Sequence, residues 1–181
     1  MMVRTEEQAQ ARNVAEQLFR KTLHVTSKIY DGARFTSTVL EVWMGIFTFI
    51  GDFCFISVPH LMLEDKSQVN SGTRIVGRCS VKIGYGSVVG YGCTLITSSD
   101  STDAREMNDA SPIEQRSLRE GPIEIGDRVF IGAHSVVMPD VKIANGAVVR
   151  AFSYVNHSLL EEDTIYGGQP AVPIKKREYT K

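Results

Sequence analysis

Cysteine is scarce: the 181-residue chain has three, Cys54, Cys79 and Cys93, and no two form a CxxC pair. That spacing excludes a disulfide framework and a cysteine-based zinc site. Charge of one sign is lacking too. Twenty Lys and Arg against 21 Asp and Glu leave a formal net charge of −1, so nothing in the electrostatics calls for nucleic acid or an anionic membrane as partner. Long apolar runs are missing. The most hydrophobic stretch, Val42 to Ile56, is too short to span a bilayer and carries Gly45, Gly51 and Asp52. The opening MMVRTEEQAQ is polar and has no signal-peptide core. The expectation is a cytoplasmic protein with reduced thiols, no membrane insertion and no metal.

What is present is a period. From Ile125 to Tyr154, branched aliphatics stand at Ile125, Ile131, Val137, Ile143 and Val149, one every six residues, and four places after each comes a compact residue: Val129, Ser135, Val141, Ala147 and Ser153. Six-residue repeats are the signature of a parallel β-helix in which each unit forms one flat side of a coil. The aliphatic points inward from the middle of the side, and the compact residue fits inside the corner. Read backwards, the register takes in Ile50, Ile56, Leu63, Val69, Ile75, Ile83, Val89 and Leu95, with slips after Leu61 and Ser80. All three cysteines fall in the compact slot, so each is expected to be a buried packing residue.

Two segments depart from the repeat. Thr5 and Gln8 resemble a capping box, and Ala11, Val14, Ala15, Leu18 and Phe19 recur at helical spacing, predicting a helix from about Glu6 to Thr22 that covers the open first coil. Trp43, Phe47 and Phe49 are expected to pack at that end. The domain reading is a helix and cap over 1–48, a solenoid over 49–166 and a basic tail over 167–181. Inside the solenoid, 97–122 is polar and aperiodic. A long loop thrown out from a rigid scaffold is a functional candidate.

The run GPIEIGDRVFIGAHSVVMPDVKIANGAVV, followed by AFSYV and by YGGQPAVPIKKR, resembles the hexapeptide-repeat acyltransferases, above all the small bacterial sugar acetyltransferases of the galactoside, maltose and O-antigen type. The resemblance covers roughly 50 to 177 and implies an all-β, left-handed parallel β-helix. It further implies acetyl-CoA as acyl donor, a homotrimer with acetyl-CoA in the groove between neighbours, and a sugar or nucleotide-linked amino sugar as acceptor in surface polysaccharide biosynthesis. Gly132, Ala133 and Ala151 match the positions that face the pantetheine arm. Pro170 lies in the terminal GGQPA turn, and Lys175, Lys176 and Arg177 stand where donors to the CoA phosphates are expected. Arg150 and Phe152 replace glycines that often flank Ala151.

In the galactoside and maltose enzymes a histidine of the inserted loop takes the acceptor proton. This loop has none, and laying TLITSSD against that motif puts Asp100 in its place. Asp100 is therefore one catalytic candidate, with Asp103 and Arg116 as acceptor-binding residues of the same loop. His134, an outward corner residue beside Ala133, is the other catalytic candidate. A sugar hydroxyl needs a good base as it attacks, whereas a neutral amine does not, and a carboxylate with a pKa of about 3.9 is a weak base. The missing histidine thus turns the reading from O-transfer towards N-transfer, with both open. Two other classes share the fold's outline. In the zinc-dependent carbonic anhydrases three histidines hold the metal, but His60, His134 and His157 form no close pair. A non-catalytic scaffold or CoA-binding protein would explain the absent histidine.

Overall fold

The computed structural model describes residues 20–108 and 110–179. The chain winds as a parallel solenoid of seven turns, its strands collecting into three flat faces. The first face stacks Arg20–Leu23, Glu41–Met44, His60–Leu63, Val81–Ile83, Ile123–Ile125 and Lys142–Ile143. On the second face Lys28–Ile29, Phe49–Ile50, Gln68–Val69, Val88–Val89, Phe130–Ile131, Val148–Val149 and Thr164–Gly167 follow one another. The third runs from Arg34–Phe35 through Phe55–Ser57, Arg74–Val76, Thr94–Ile96 and Val136–Val137 to Tyr154–Val155. Every pairing between successive coils is parallel. Among the described residues the one helical element is a 3-10 turn, Ile113–Gln115.

The six-residue period becomes three interior columns. Met44, Leu63, Ile83, Ile125 and Ile143 line the first face, Ile50, Val69, Val89, Ile131 and Val149 the second, and Ile56, Ile75, Leu95, Val137 and Val155 the third, all buried. Each fully buried aliphatic contributes about 1.5–3 kcal/mol relative to exposure, so the columns dominate folding. Corners follow a second rule. Asp65 accepts from Ile46 N–H (2.8 Å), Asp127 from Tyr85 N–H (3.0 Å) and Asn145 from Asp127 N–H (2.8 Å), so each Asx side chain ties its corner to the coil before it. The glycines at 45, 84 and 126 make room for those carboxyl and amide oxygens.

Several expectations change. The helix over Glu6 to Thr22 lies outside the described residues except for 20–22, which belong to the first strand. The solenoid therefore starts at Arg20, well before 49. Its first two coils carry Phe35, Trp43, Phe49 and Phe55 in the strands, where the later three-face coils have aromatics only at Phe130, Tyr154 and Tyr166. Trp43 and Phe49 are half-buried, but Phe47 is 61% exposed, because it occupies a corner with φ 54° that points its ring away from the core. Cys54 and Cys93 are buried in one corner column with Thr73, Ser135 and Ser153, and burial pushes both thiols up. Cys79 is half-buried: it lies at the corner from which the inserted segment departs, its N–H donating to Thr97 Oγ1. Most of the basic tail expected over 167–181 is part of the solenoid. Val172–Lys176 folds back antiparallel on Thr164–Gly167 and extends the second face.

Two substitutions separate corner space from corner chemistry. The buried hydroxyl of Ser67 has no partner among the described residues, so Ser67→Ala is expected to leave the melting temperature unchanged or raise it. Gly84→Ala places a methyl 2.6 Å from Asp127 Oδ1 and the Gly126 carbonyl, and should cost about 1–3 kcal/mol in denaturant unfolding. Equal effects at both positions would refute this account of the corners.

Candidate functional site

The corner between the second and third faces carries Gly132, Ala133 and Ala151. Phe53, Gly72, Gly92, His134 and Phe152 succeed one another there, each in left-handed backbone with φ between 59° and 76°. The residue before each supplies the acceptor for the next coil: His134 N–H donates to Tyr91 O (2.9 Å) and Phe152 N–H to Ala133 O (2.9 Å). The amides of Ala133 and Ala151 donate to no described residue, as is also true of Ser71 and Tyr91 at the same corner, and the methyl side chains of the two alanines offer them no cap. Gly132 is buried directly against the backbone of Arg150 and Ala151, so no side chain intrudes between the two coils. A ligand arm with amide groups of its own finds donors one coil apart here.

His134 does not project freely from this edge. Its ring folds over Gly92, where a Cβ would sit 2.6 Å from Cε1, and stacks on Phe152 at 5.2 Å between centroids and 21° between planes. Phe152 is 64% exposed, so the pair forms an aromatic step beside Ala133 and Ala151. His24, His60 and His157 lie elsewhere: His24 bonds Thr26 Oγ1 (2.8 Å), His60 approaches Glu41 (3.8 Å) and His157 Nδ1 bonds Asn156 Oδ1 (2.9 Å).

The inserted segment leaves the fourth coil at the far end of the third face. Ser98–Asp100 pairs antiparallel with Leu118–Glu120, forming a hairpin stem. The stem is fastened to the solenoid by Arg78 with Glu120 (3.5 Å) and by Arg119 donating to Asn156 O (2.7 Å). At its tip Arg116 grips Asp100 in a two-pronged ion pair, Nε to Oδ1 and Nη2 to Oδ2, both 2.9 Å. Only 6% of the Arg116 side chain is exposed, against 24% of Asp100. The Arg116 hydrogen bond holds the Asp100 carboxyl below the usual carboxylate range despite the opposing desolvation. Asp103 sits exposed in the following turn, its N–H on Ser101 Oγ (3.3 Å). Two of the three loop candidates are thus joined. Asp100 and His134 stand at opposite ends of the third face and are not joined within one chain.

The C-terminal cations are largely committed to the fold. Lys176 Nζ donates to Glu162 O (3.0 Å) and Thr164 Oγ1 (2.8 Å), and Arg177 Nη1 donates to Gly146 O (2.6 Å) while its guanidinium covers the Tyr179 ring at 4.8 Å. Lys175 has only a loose partner in Glu178 (3.6 Å), and Pro170 is exposed at the last corner. A polar concavity elsewhere, over the first face, is lined by Glu64, Lys82, Glu124, Asp127, Lys142 and Leu160. Its charges answer one another, Lys82 with Glu64 (2.7 Å) and Lys142 with Glu124 (3.1 Å), which makes it a ladder between coils with no group left over for a ligand. Among the described residues no three His, Cys, Asp or Glu side chains cluster as metal ligands, and no helix is long and apolar enough to cross a membrane.

Residues 122–157 match the bacterial transferase hexapeptide family, described as six repeats. A dTDP-4-amino-4,6-dideoxy-D-glucose acyltransferase of Escherichia coli is 30% identical over 131 residues, 71% of this chain and 68% of the relative. A provisionally named lipopolysaccharide biosynthesis O-acetyl transferase, WbbJ, of Escherichia coli strain K12 is 32% identical over 120 residues, 64% of this chain and 60% of the relative. Among solved structures, AntD, an N-acyltransferase from Bacillus cereus in complex with dTDP and 3-hydroxybutyryl-CoA, superposes with a TM-score of 0.80 at 23% identity, covering 94% of this chain and 88% of that one.

The Asp100–Arg116 pair has a pH signature. A folded-state pKa held low means the folded chain binds that proton less readily than the unfolded one, so the stabilisation is full above about pH 4 and is lost as pH falls through the lowered value. Asp100→Asn should therefore melt earlier than wild type at neutral pH, with the gap closing under acid. A gap of constant size at every pH would contradict the pairing.

Proposed function

The chain belongs to the bacterial hexapeptide-repeat acyltransferases, left-handed parallel β-helix enzymes, and from that premise we propose that it acetylates the amino group of a nucleotide-linked amino sugar. Acetyl-CoA is the acyl donor, the setting is the cytoplasmic biosynthesis of a surface polysaccharide, and the active form is a homotrimer. The observation that carries this reading is the second corner, where the Ala133 and Ala151 N–H groups, one coil apart, donate to no described residue. They suit the amide carbonyls of a pantetheine arm, which brings a thioester to the protein when bound. The hairpin supplies the acceptor end. Because Asp100 and the Ala133 edge lie at opposite ends of one face, a site using both is completed by placing one subunit's hairpin against its neighbour's corner.

Asp100 favours nitrogen over oxygen as the nucleophile. Arg116 keeps the carboxylate ionised and weakens it as a base. An amine that has already lost its proton needs an acceptor to orient it and no strong base. In the reaction the amine nitrogen attacks the thioester carbonyl carbon, the C–N bond forms, the C–S bond breaks, and the proton released from nitrogen ends on the departing CoA thiol. Asp100 accepts a hydrogen bond from the amine and fixes its approach, a contribution of position. The Escherichia coli relative named for a dTDP-linked amino sugar supports the acceptor class.

The test is thiol release from acetyl-CoA with nucleotide-linked amino sugars and with their hydroxyl counterparts. Amino acceptors should be preferred, and the acid limb of the rate profile should follow the acceptor amine near or above neutrality. Asp100→Asn should lower turnover by about 10²-fold with acetyl-CoA affinity retained. His134→Ala should cost much less, and light scattering should give three chains. Preference for the hydroxyl acceptor, or full loss in His134→Ala with Asp100→Asn unaffected, would overturn the assignment.

A further inference from the structure

We infer that Arg150 binds the phosphate groups of the acyl-CoA donor, an inference that rests on the acyltransferase reading above and adds a specific anchor to it. Arg150 immediately precedes Ala151 and is exposed. Its backbone is fixed from both sides: the N–H donates to Tyr166 O (2.9 Å), and the carbonyl accepts from Ser135 Oγ (3.1 Å) and Ser153 Oγ (2.6 Å). Its aliphatic stem lies over Gly167, where a Cβ would come within 3.3 Å of both Arg150 Cβ and Cδ. A side chain at 167 would press on the stem, so the glycine provides the bed on which it lies. Ile174, on the strand that folds back over this face, borders the same spot: its Cδ1 would stand 3.0 Å from a Cβ at 167.

The head group is what the fold leaves unused. Arg150 has no ion pair, hydrogen bond or ring contact from its guanidinium among the described residues. Its basic neighbours along the chain end differ: Lys176 and Arg177 spend their donors on backbone carbonyls and a threonine hydroxyl of the last coils. An arginine with a packed stem, a fixed backbone and five idle N–H donors, next to the unpartnered Ala151 amide, is arranged to receive a phosphate in forked geometry. Phosphates are the part of the CoA donor that needs such a group, and the arm running past Ala133 and Ala151 leads to it. Lys176 and Arg177 then act as clasps of the terminal strand.

The experiment compares donors with and without phosphate. Arg150→Met keeps an aliphatic stem over Gly167 and removes the charge, so its melting temperature should match wild type. Its Kd for CoA should rise about tenfold or more, the usual scale for a charge-assisted hydrogen bond, while KM for S-acetylpantetheine, which has no phosphate, stays unchanged. Dephospho-CoA locates the contact: loss on CoA alone assigns the 3′-phosphate, and loss on both assigns the diphosphate. Unchanged CoA affinity in Arg150→Met, or equal weakening with both CoA and S-acetylpantetheine, would overturn the inference and leave the acyltransferase reading intact. A wild-type protein that binds no CoA at all would overturn both.

Discussion

Backbone pairing between successive coils fixes everything else in this molecule. A parallel ladder requires each coil to lie flat on the one before it, at the spacing of adjacent strands, about 4.8 Å. Side chains inside the coil must then repeat by column, since each sits directly above its counterpart: Ile50 on Val69 on Val89, then Ile131 and Val149. Corners carry the stricter demand. The chain turns within a few residues, so from the second coil on the first and second corners each place one residue in left-handed backbone, and another must be small enough to fit inside.

Where the fold relaxes those demands, function becomes possible. At the second corner the small residues Gly132, Ala133 and Ala151 satisfy the packing rule, and the amides of Ala133 and Ala151 are left without a partner among the described residues. At the third corner the chain escapes for 26 residues between the strands Thr94–Ile96 and Ile123–Ile125, 97–122, without disturbing the ladder, because Val81–Ile83 pairs with Ile123–Ile125 as though nothing intervened. In the proposed function the donor edge belongs to the rigid coils and the acceptor end to the hairpin, which Arg78, Glu120 and Arg119 fasten to the solenoid.

The legibility of this arrangement in the sequence follows the same division. Columns are local in sequence, and the period from Ile125 to Val149 exposes them directly; the register slips after Leu61 and Ser80 fall where the third corner turns onto the first face, at His60–Leu63 and Val81–Ile83. The first two coils are harder to read because aromatic rings in their strands, Phe35, Trp43, Phe49 and Phe55, mask the alternation. Asp100 and Arg116 are each visible as loop candidates. Their union is not, since it depends on the hairpin register that sets Asp100 opposite Leu118. The run KKR at the chain end reads as a phosphate contact in sequence; only the antiparallel return of Val172–Lys176 reveals that two of its cations face carbonyl groups. Arg150 carries no signal of its own beyond replacing a small residue.

Amide hydrogen exchange across an acetyl-CoA titration tests the central claim most directly, because it reads the donor edge itself. The account predicts new protection at Ala133 and Ala151, whose amides have no partner in the protein alone, with the Lys82–Glu124–Lys142 face unchanged. Protection centred on that charged face, or none at the second corner at saturating acetyl-CoA, would contradict it.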